Sequence, residues 1–364
     1  MQTTINKKDF IDALTIGGAM AGKAKSVAIL ENAKIEVSNN TLIVHSSNLE
    51  CATRKRVQVV ETDEDYTFCI NPGELANILK SLIEEEITFE IKNNRIIINH
   101  FKGVIEMPII PSETFPESQV TEDGISVTFN AIMFKEWLTV ANSFVSSDDL
   151  RPTMCGMYIY SKDGKVGICA TDACKLFSDS IYAECDEFGI ILPSGSFKPL
   201  SAMLTGEQEI NATIREKSIS FVTANSELHC RLLEGNYPNF RGVIPQQNNI
   251  EVKVNKAELL DSVNRASLMA NKSTLLLKLT IDDTTMGIEG NDLDFSTKAY
   301  ESIKIEKSGE DVVIGVKADF FATCFNIINT DNVVMRLGGN SKPILFVDSN
   351  NANRILLVMP MRIN

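Results

Sequence analysis

The sequence predicts an α+β fold built as three tandem copies of one module, each reading helix, strands, helix, strands. Three observations predict it. The stretch Asn6-Lys7-Lys8-Asp9-Phe10-Ile11-Asp12-Ala13-Leu14 recurs in pattern as Asn130-Ala131-Ile132-Met133-Phe134-Lys135-Glu136-Trp137-Leu138, and again as Asn255-Lys256-Ala257-Glu258-Leu259-Leu260-Asp261-Ser262-Val263. A period of roughly 120 residues is the length of a whole small domain. In every copy the hydrophobic spacing switches between the helical period and the alternating period of strands. Turn-forming Asn, Asp and Gly residues then separate those segments at matching places.

Each copy opens on an amphipathic helix, expected over 6–22, 130–146 and 255–271. Phe10 and Leu14 share one face of the first, Phe134, Trp137 and Leu138 of the second, and Leu259 and Val263 of the third. The small residues Gly17, Ala141 and Ala266 occupy equivalent places, as if a neighbouring element approaches closely there. A hairpin follows, turning at Asn39-Asn40, at Asp163-Gly164 and near Asp282-Asp283. The polar pairs Ser47-Asn48, Thr171-Asp172 and Asn291-Asp292 come next and read as repeated turn chemistry. Second helices are expected over 71–83, 193–204 and 317–328, each preceded by turn-type residues. Closing hairpins run from Ile87 to Phe101, from Ile210 to Val222 and from Val333 to Val347. Proline clusters place the module boundaries so that the copies span 1–123, 124–246 and 247–364. The joints carry no Gly/Ser-rich or charged linker, so docked modules are expected.

Composition narrows the function. The 364 residues are 44% hydrophobic and 23% charged, as in ordinary soluble globular proteins. No apolar run approaches the roughly 20 residues of a membrane helix, and the amino-terminal residues show no apolar signal region. The cytoplasm is the expected compartment, with no membrane partner. Eight cysteines form no C-x-x-C pair and only three histidines are present, so neither a metal site nor a cofactor is expected. No G-x-S-x-G, H-E-x-x-H, Walker loop or strand-borne G-x-G-x-x-G appears, and acid/base candidates are few. An enzyme with a site at a module junction is a competing reading. The threefold repetition argues against it, because a catalytic site normally breaks internal symmetry.

Charge points elsewhere. The chain carries a net −13, yet the six helical segments hold eight basic and seven acidic residues. The acidity therefore lies off the helices. A near-neutral helical face on an acidic molecule suits loose, sequence-blind contact with a polyanion. Lys23, Lys25, Lys80, Lys135, Lys198, Arg265 and Lys317 are the candidates to face it.

Three motifs add a family. The segments Leu356-Leu357-Val358-Met359-Pro360-Met361-Arg362, Glu234-Gly235-Asn236-Tyr237-Pro238-Asn239-Phe240-Arg241-Gly242-Val243-Ile244-Pro245 and Ala170-Thr171-Asp172-Ala173-Cys174-Lys175-Leu176, set on the threefold repeat, resemble the bacterial DNA polymerase III beta subunit family, the DNA sliding clamps. The resemblance covers essentially the full chain. It implies a head-to-tail homodimer closing into a pseudo-sixfold ring around duplex DNA, with helices lining the hole and no catalysis. It also implies as partners the DNA polymerase III catalytic subunit, the clamp loader and other proteins with Gln-Leu-x-Leu-Phe-like motifs.

By the same resemblance, a partner-peptide pocket would use Met154, Thr171, Ala173, Cys174, Lys175, Leu176, Pro238, Val243 and Pro343. Leu357, Val358, Met359, Pro360, Met361 and Arg362 would complete it, with Leu357, Met359 and Met361 sharing one face if the segment is a strand. The sequence departs from the family pattern at Ala173, Cys174 and Lys175, where Gly, His and Arg are usual, at Gly242, where Arg is common, and at Thr153, where an aromatic residue is frequent. Docking with a shifted motif preference is expected. The dimer contact would use Leu268 and Met269 of one subunit against the edge strand near Ile105 of the other. A non-replicative scaffold on the same modules is the alternative.

Overall fold

A computed structural model describes residues 1–24, 27–116, 123–183 and 185–363. The fold divides into two compact units, Met1–Leu138 with Gly195–Leu232, and Thr139–Ser194 with Leu233–Asn364. Six α-helices occur among the described residues: α1 (Lys7–Gly17), α2 (Pro72–Ser81), α3 (Ala131–Asn142), α4 (Phe197–Met203), α5 (Lys256–Ser267) and α6 (Ala318–Ile327).

The asparagine that opens each copy is a helix cap. Asn6 accepts from the Lys8 and Asp9 N–H groups, Asn130 from Met133 and Asn255 from Glu258. These bonds satisfy amide donors that a helix start leaves orphaned. Lys7 and Lys256, the next residues, reach back with Nζ to the Leu82 and Ile328 carbonyls at the ends of α2 and α6, both at 2.7 Å. Part of the repeat is thus a repeated clasp between the two helices of a copy.

The opening helices end earlier than their apolar pattern predicts, at Gly17, Asn142 and Ser267. The chain leaves α1 at Gly17-Gly18, where a side chain has no room: a Cβ on Gly17 would stand against the Val44 carbonyl. Ser46 and Thr53 donate their hydroxyls to the Gly17 carbonyl at 2.6 and 2.9 Å. The third copy meets the same tight contact from the other side, with Gly290 of a strand against the Ala266 carbonyl. Helix α4 begins late, after a 3-10 turn over Ser194–Ser196.

The hairpin turns behave as their residue types require. Asn39, Asn40, Asn93, Asn94, Asp163 and Gly164 all have positive φ, as a two-residue type I′ turn demands. The repeated polar pairs make side-chain-to-backbone turns: Asn48 accepts from Glu50 and Cys51, Asp172 from Cys174 and Lys175, Asp292 from Asp294 and Phe295.

The first unit holds two sheets. In one, the strands run Glu61–Thr62, Gln2–Asn6, Glu86–Lys92, Arg95–His100, Gly103–Pro108. In the other they run Ile125–Asn130, Glu209–Ile214, Ser218–Val222, Ser226–Arg231, Cys51–Gln58, Thr41–Ser47, Ala33–Ser38, Tyr66–Ile70. Phe10, Leu14, Leu75, Leu79, Phe89 and Ile98 are among the buried residues of its main core.

The second unit also holds two sheets. The larger runs Phe188–Pro193, Gly156–Lys162, Lys165–Thr171, Lys175–Tyr182, Ile355–Val358, Ile344–Val347, Asn332–Leu337, Ile250–Asn255, Glu306–Ser308. The smaller runs Thr297–Lys304, Thr285–Asp292, Leu276–Ile281, Val312–Lys317.

Two junctions in these sheets join strands from successive copies. Ser226–Arg231 pairs with Cys51–Gln58, and Ile355–Val358 pairs with Lys175–Tyr182, both antiparallel. Such seams were not legible in the periodicity. They make the sheets continuous from one copy into the next.

Candidate functional site

The second seam builds an apolar cavity. Leu176 lies opposite Leu357 and Lys175 opposite Val358, and the Met359 N–H donates to the Cys174 carbonyl at 2.7 Å. These bonds tie the 171–175 turn to the carboxyl-terminal strand. The turn is held from within. Thr171 Oγ1 donates to the Lys175 carbonyl at 2.7 Å, and Asp172 Oδ2 meets Lys175 Nζ at 2.7 Å, with both side chains mostly buried. Lys175 Nζ also stands 4.4 Å from the centre of the Phe320 ring, which Lys317 Nζ approaches at 4.3 Å. Cation–π contact thus adds to the ion pair that holds Lys175 in place.

The remaining wall comes from the 237–243 segment. A 3-10 turn over Phe240–Val243 presents Phe240 and Val243, while the Tyr237 ring stacks on Tyr158 at 5.0 Å and Arg241 lies over Tyr160. Beneath, Tyr160, Cys169, Leu176, Phe240 and Leu357 form one buried cluster. Burial pushes the Cys169 thiol up, and burial followed by the neighbouring Cys169 pushes the Tyr237 phenol up, so both stay neutral and the floor stays uncharged.

The cavity holds about 170 Å³ and is lined by Met154, Thr171, Ala173, Cys174, Lys175, Leu176, Pro238, Asn239, Phe240, Val243, Leu357 and Met359. A small apolar hollow with a few polar groups at its rim suits one or two anchoring side chains of a short peptide. It offers no nucleophile–base pair. Among the described residues no cluster of His, Cys, Asp and Glu could hold a metal.

Most of the expected pocket residues meet here, and the exceptions are instructive. Val358 is fully buried in the seam. The strand stops at Val358, so Met361 does not continue the face of Leu357 and Met359. Its N–H donates instead to the Gly315 carbonyl at 2.8 Å. Pro343, Pro360 and Arg362 do not line the cavity either. Asn239 and Phe240 do line it. Their signal was the Tyr-Pro-Asn-Phe segment, which places them in the same turn as Pro238.

The other candidates are placed as follows. Lys80 and Lys198 are exposed on α2 and α4. Lys135 donates to Thr205 Oγ1 at 2.8 Å, Arg265 pairs with Glu301 at 2.7 Å and Lys317 with Asp319 at 3.4 Å. Burial lowers the Lys23 ammonium pKa, with Cys51 and Lys198 as its electrostatic neighbours. Lys25 lies outside the described residues. Ile105 sits on the edge strand Gly103–Pro108, partly buried against the core, while Leu268 and Met269 are exposed beyond α5.

Three family models match in succession: the DNA polymerase III beta subunit N-terminal domain over residues 1–119, its central domain over 129–239 and its C-terminal domain over 241–362. The chain belongs to the DNA polymerase III beta subunit family. A curated relative, the beta sliding clamp of Streptococcus pneumoniae R6, is 24% identical with 99% of each chain covered. The DNA polymerase III beta subunit of Thermotoga maritima superposes with a TM-score of 0.94 at 20% identity, covering all of both chains. The Pseudomonas aeruginosa sliding clamp bound to griselimycin gives 0.93 at 19% identity, again over both full lengths. Ala173, at the cavity rim, adopts a φ of 75°, a left-handed conformation natural to glycine.

Proposed function

We propose that the chain works as a DNA sliding clamp, three modules (1–123, 124–246, 247–364) whose head-to-tail homodimer closes into a ring around duplex DNA and tethers other proteins without catalysis of its own. Family membership supports this reading. The observation that carries it within the fold is the pairing rule of the seams. In both, the last strand of one copy's closing set joins the third strand of the preceding copy's opening set. The rule leaves two strands over: Gly103–Pro108, the last of the first copy, and Thr297–Lys304, the third of the third copy. Each pairs on one side only among the described residues. Joining them between two chains repeats the seam, and a heterologous contact that closes makes a ring. Leu268 and Met269 flank one of these edges and Ile105 lies on the other.

Duplex DNA is encircled without sequence preference. Lys23, Lys25, Lys80, Lys135, Lys198, Arg265 and Lys317 are the candidate contacts. The exposure of Lys80 and Lys198 favours them, and the ion pairs of Arg265 and Lys317 weaken the pull of those two. Weak attraction serves sliding, because tight phosphate binding would brake it. The second-unit cavity takes the apolar anchors of Gln-Leu-x-Leu-Phe-like segments in the DNA polymerase III catalytic subunit, the clamp loader and other DNA-processing proteins. The compartment is the cytoplasm.

Two measurements test this. Clamp loaded on nicked circular DNA should be retained and then lost when the circle is linearised; persistence on the linear molecule would refute sliding. A Gln-Leu-x-Leu-Phe peptide should bind the wild type and lose about tenfold or more in affinity on Val243→Asp, an exposed rim position. Unchanged affinity would remove the cavity from the tethering role.

A further inference from the structure

The first seam carries a pair of thiols that the clamp reading does not use. Cys51 and Cys230 are direct partners across it. Their pair is of the non-hydrogen-bonded kind. The neighbouring pair is bonded, with the Arg231 N–H donating to the Glu50 carbonyl at 2.8 Å, and bonded and non-bonded pairs alternate in an antiparallel ladder. The Cys51 N–H is turned away to Asn48 Oδ1 at 2.7 Å, as that alternation requires. Such a pair brings Cα atoms to about 4.5 Å, within the roughly 4.4–6.8 Å that a disulfide spans.

The two side chains share a sheet face with Thr53, which bonds to the Gly17 carbonyl of α1. There the Cys230 thiol donates to the Arg231 carbonyl at 3.5 Å, and the adjacent Cys51 thiol together with burial holds it above its ordinary range. Cys51 has a different neighbourhood. It is an electrostatic neighbour of Lys23. Cys51 is also the first residue of its strand, next to an exposed turn where Leu49 holds a φ of 74°.

We propose that Cys51 and Cys230 are a redox-active pair, oxidised by low-molecular-weight disulfides to a cross-strand bond that staples the first seam. The Cys51 thiolate attacks one sulfur of the external disulfide, forming a mixed disulfide and expelling one thiolate, which takes up a proton. Cys230 then gives its proton to solvent and attacks the Cys51 sulfur. This forms the intramolecular S–S bond and releases the second external thiol. Two protein thiols are oxidised and one external disulfide is reduced to two thiols. The second seam pairs Lys175 to Ser178 with Ile355 to Val358 and has no such thiols, so oxidation distinguishes one junction from the other.

The test uses the full-length protein. After incubation with oxidised glutathione, thiols titratable in denaturant should fall from eight to six. Peptide mapping should recover one cross-linked product joining Cys51 to Cys230. Thermal unfolding should shift upward and return on reduction, since the bond closes a loop of nearly half the chain. Cys51→Ala and Cys230→Ala, checked for native circular dichroism, should each retain all remaining thiols and show no shift. The wild-type peptide map stands even if a variant fails to fold. Native protein that keeps eight thiols while the denatured chain oxidises would overturn the proposal. So would a cross-link mapped to other cysteines.

Discussion

His45 alternates along its strand with Ser46, whose hydroxyl bonds to the end of α1, so the imidazole lies on the opposite sheet face, edge-on to Phe115. Burial, then the charges of Arg54 and Lys34, depress its pKa to about 4 from 6.5. The folded chain thus binds fewer protons than the unfolded one between those values, and stability must fall as pH drops through that window. The loss amounts to roughly 3 kcal/mol at most. Denaturant titrations at pH 7 and pH 4.5 should show it, and His45→Gln should flatten this part of the profile. A different residue-scale effect sits at the cavity rim. Ala173 holds a left-handed conformation that costs an L-residue about 1 kcal/mol. Ala173→Gly is expected to stabilise by about 0.5 kcal/mol, net of glycine's greater freedom when unfolded; a loss of stability in denaturant titration would contradict the strain. Its turn was legible from the Thr171-Asp172 pair, whereas its strain became visible only with the backbone angle.

At the scale of elements, the second seam carries a buried ionic network. Arg354 Nε and Nη2 donate to Asp179 at 3.1 Å, Arg354 Nη1 to Asp348 at 3.4 Å, and Asn351 Nδ2 to Asp179 at 3.0 Å. The Arg354, Asp179 and Asp348 side chains are all under 10% exposed. Removing the arginine would strand two carboxylates, so Arg354→Met should cost about 3–5 kcal/mol. Arg95→Met, which breaks an exposed pair with Glu106, should cost under about 1 kcal/mol. Unfolding curves for both variants check the contrast. Neither Asp179 nor Arg354 was singled out in the sequence, because a partner 175 residues away leaves no local pattern. The helices were legible from their caps and apolar stripes. Their ends were not, since a close neighbour, not propensity, sets where α1 must stop.

For the whole molecule, the unmatched edges explain an otherwise odd set of exposed apolar residues. Phe101 and Val104 lie at one edge; Leu268, Phe295 and Tyr300 lie at the other, each more than half exposed. Exposed apolar edges of this kind are association sites or liabilities. Wild-type protein should sediment as a dimer of the 40.2 kDa chain, and Leu268→Asp should yield monomer. A wild-type monomer at micromolar concentration would contradict the head-to-tail assembly.

The sequence by itself determined that one module is written three times, where five of the six described helices begin and where its hairpins turn. These are local matters, settled by capping side chains, by residues that tolerate positive φ and by the period of the apolar positions. Only the tertiary structure decided that strands of successive copies share a sheet, that the second seam opens into an apolar cavity, and that two edges and one thiol pair are left over. Strand alternation says which face is buried but not which distant strand lies alongside. That choice is made by burying a shared face between segments far apart in the chain, and only the folded molecule contains it.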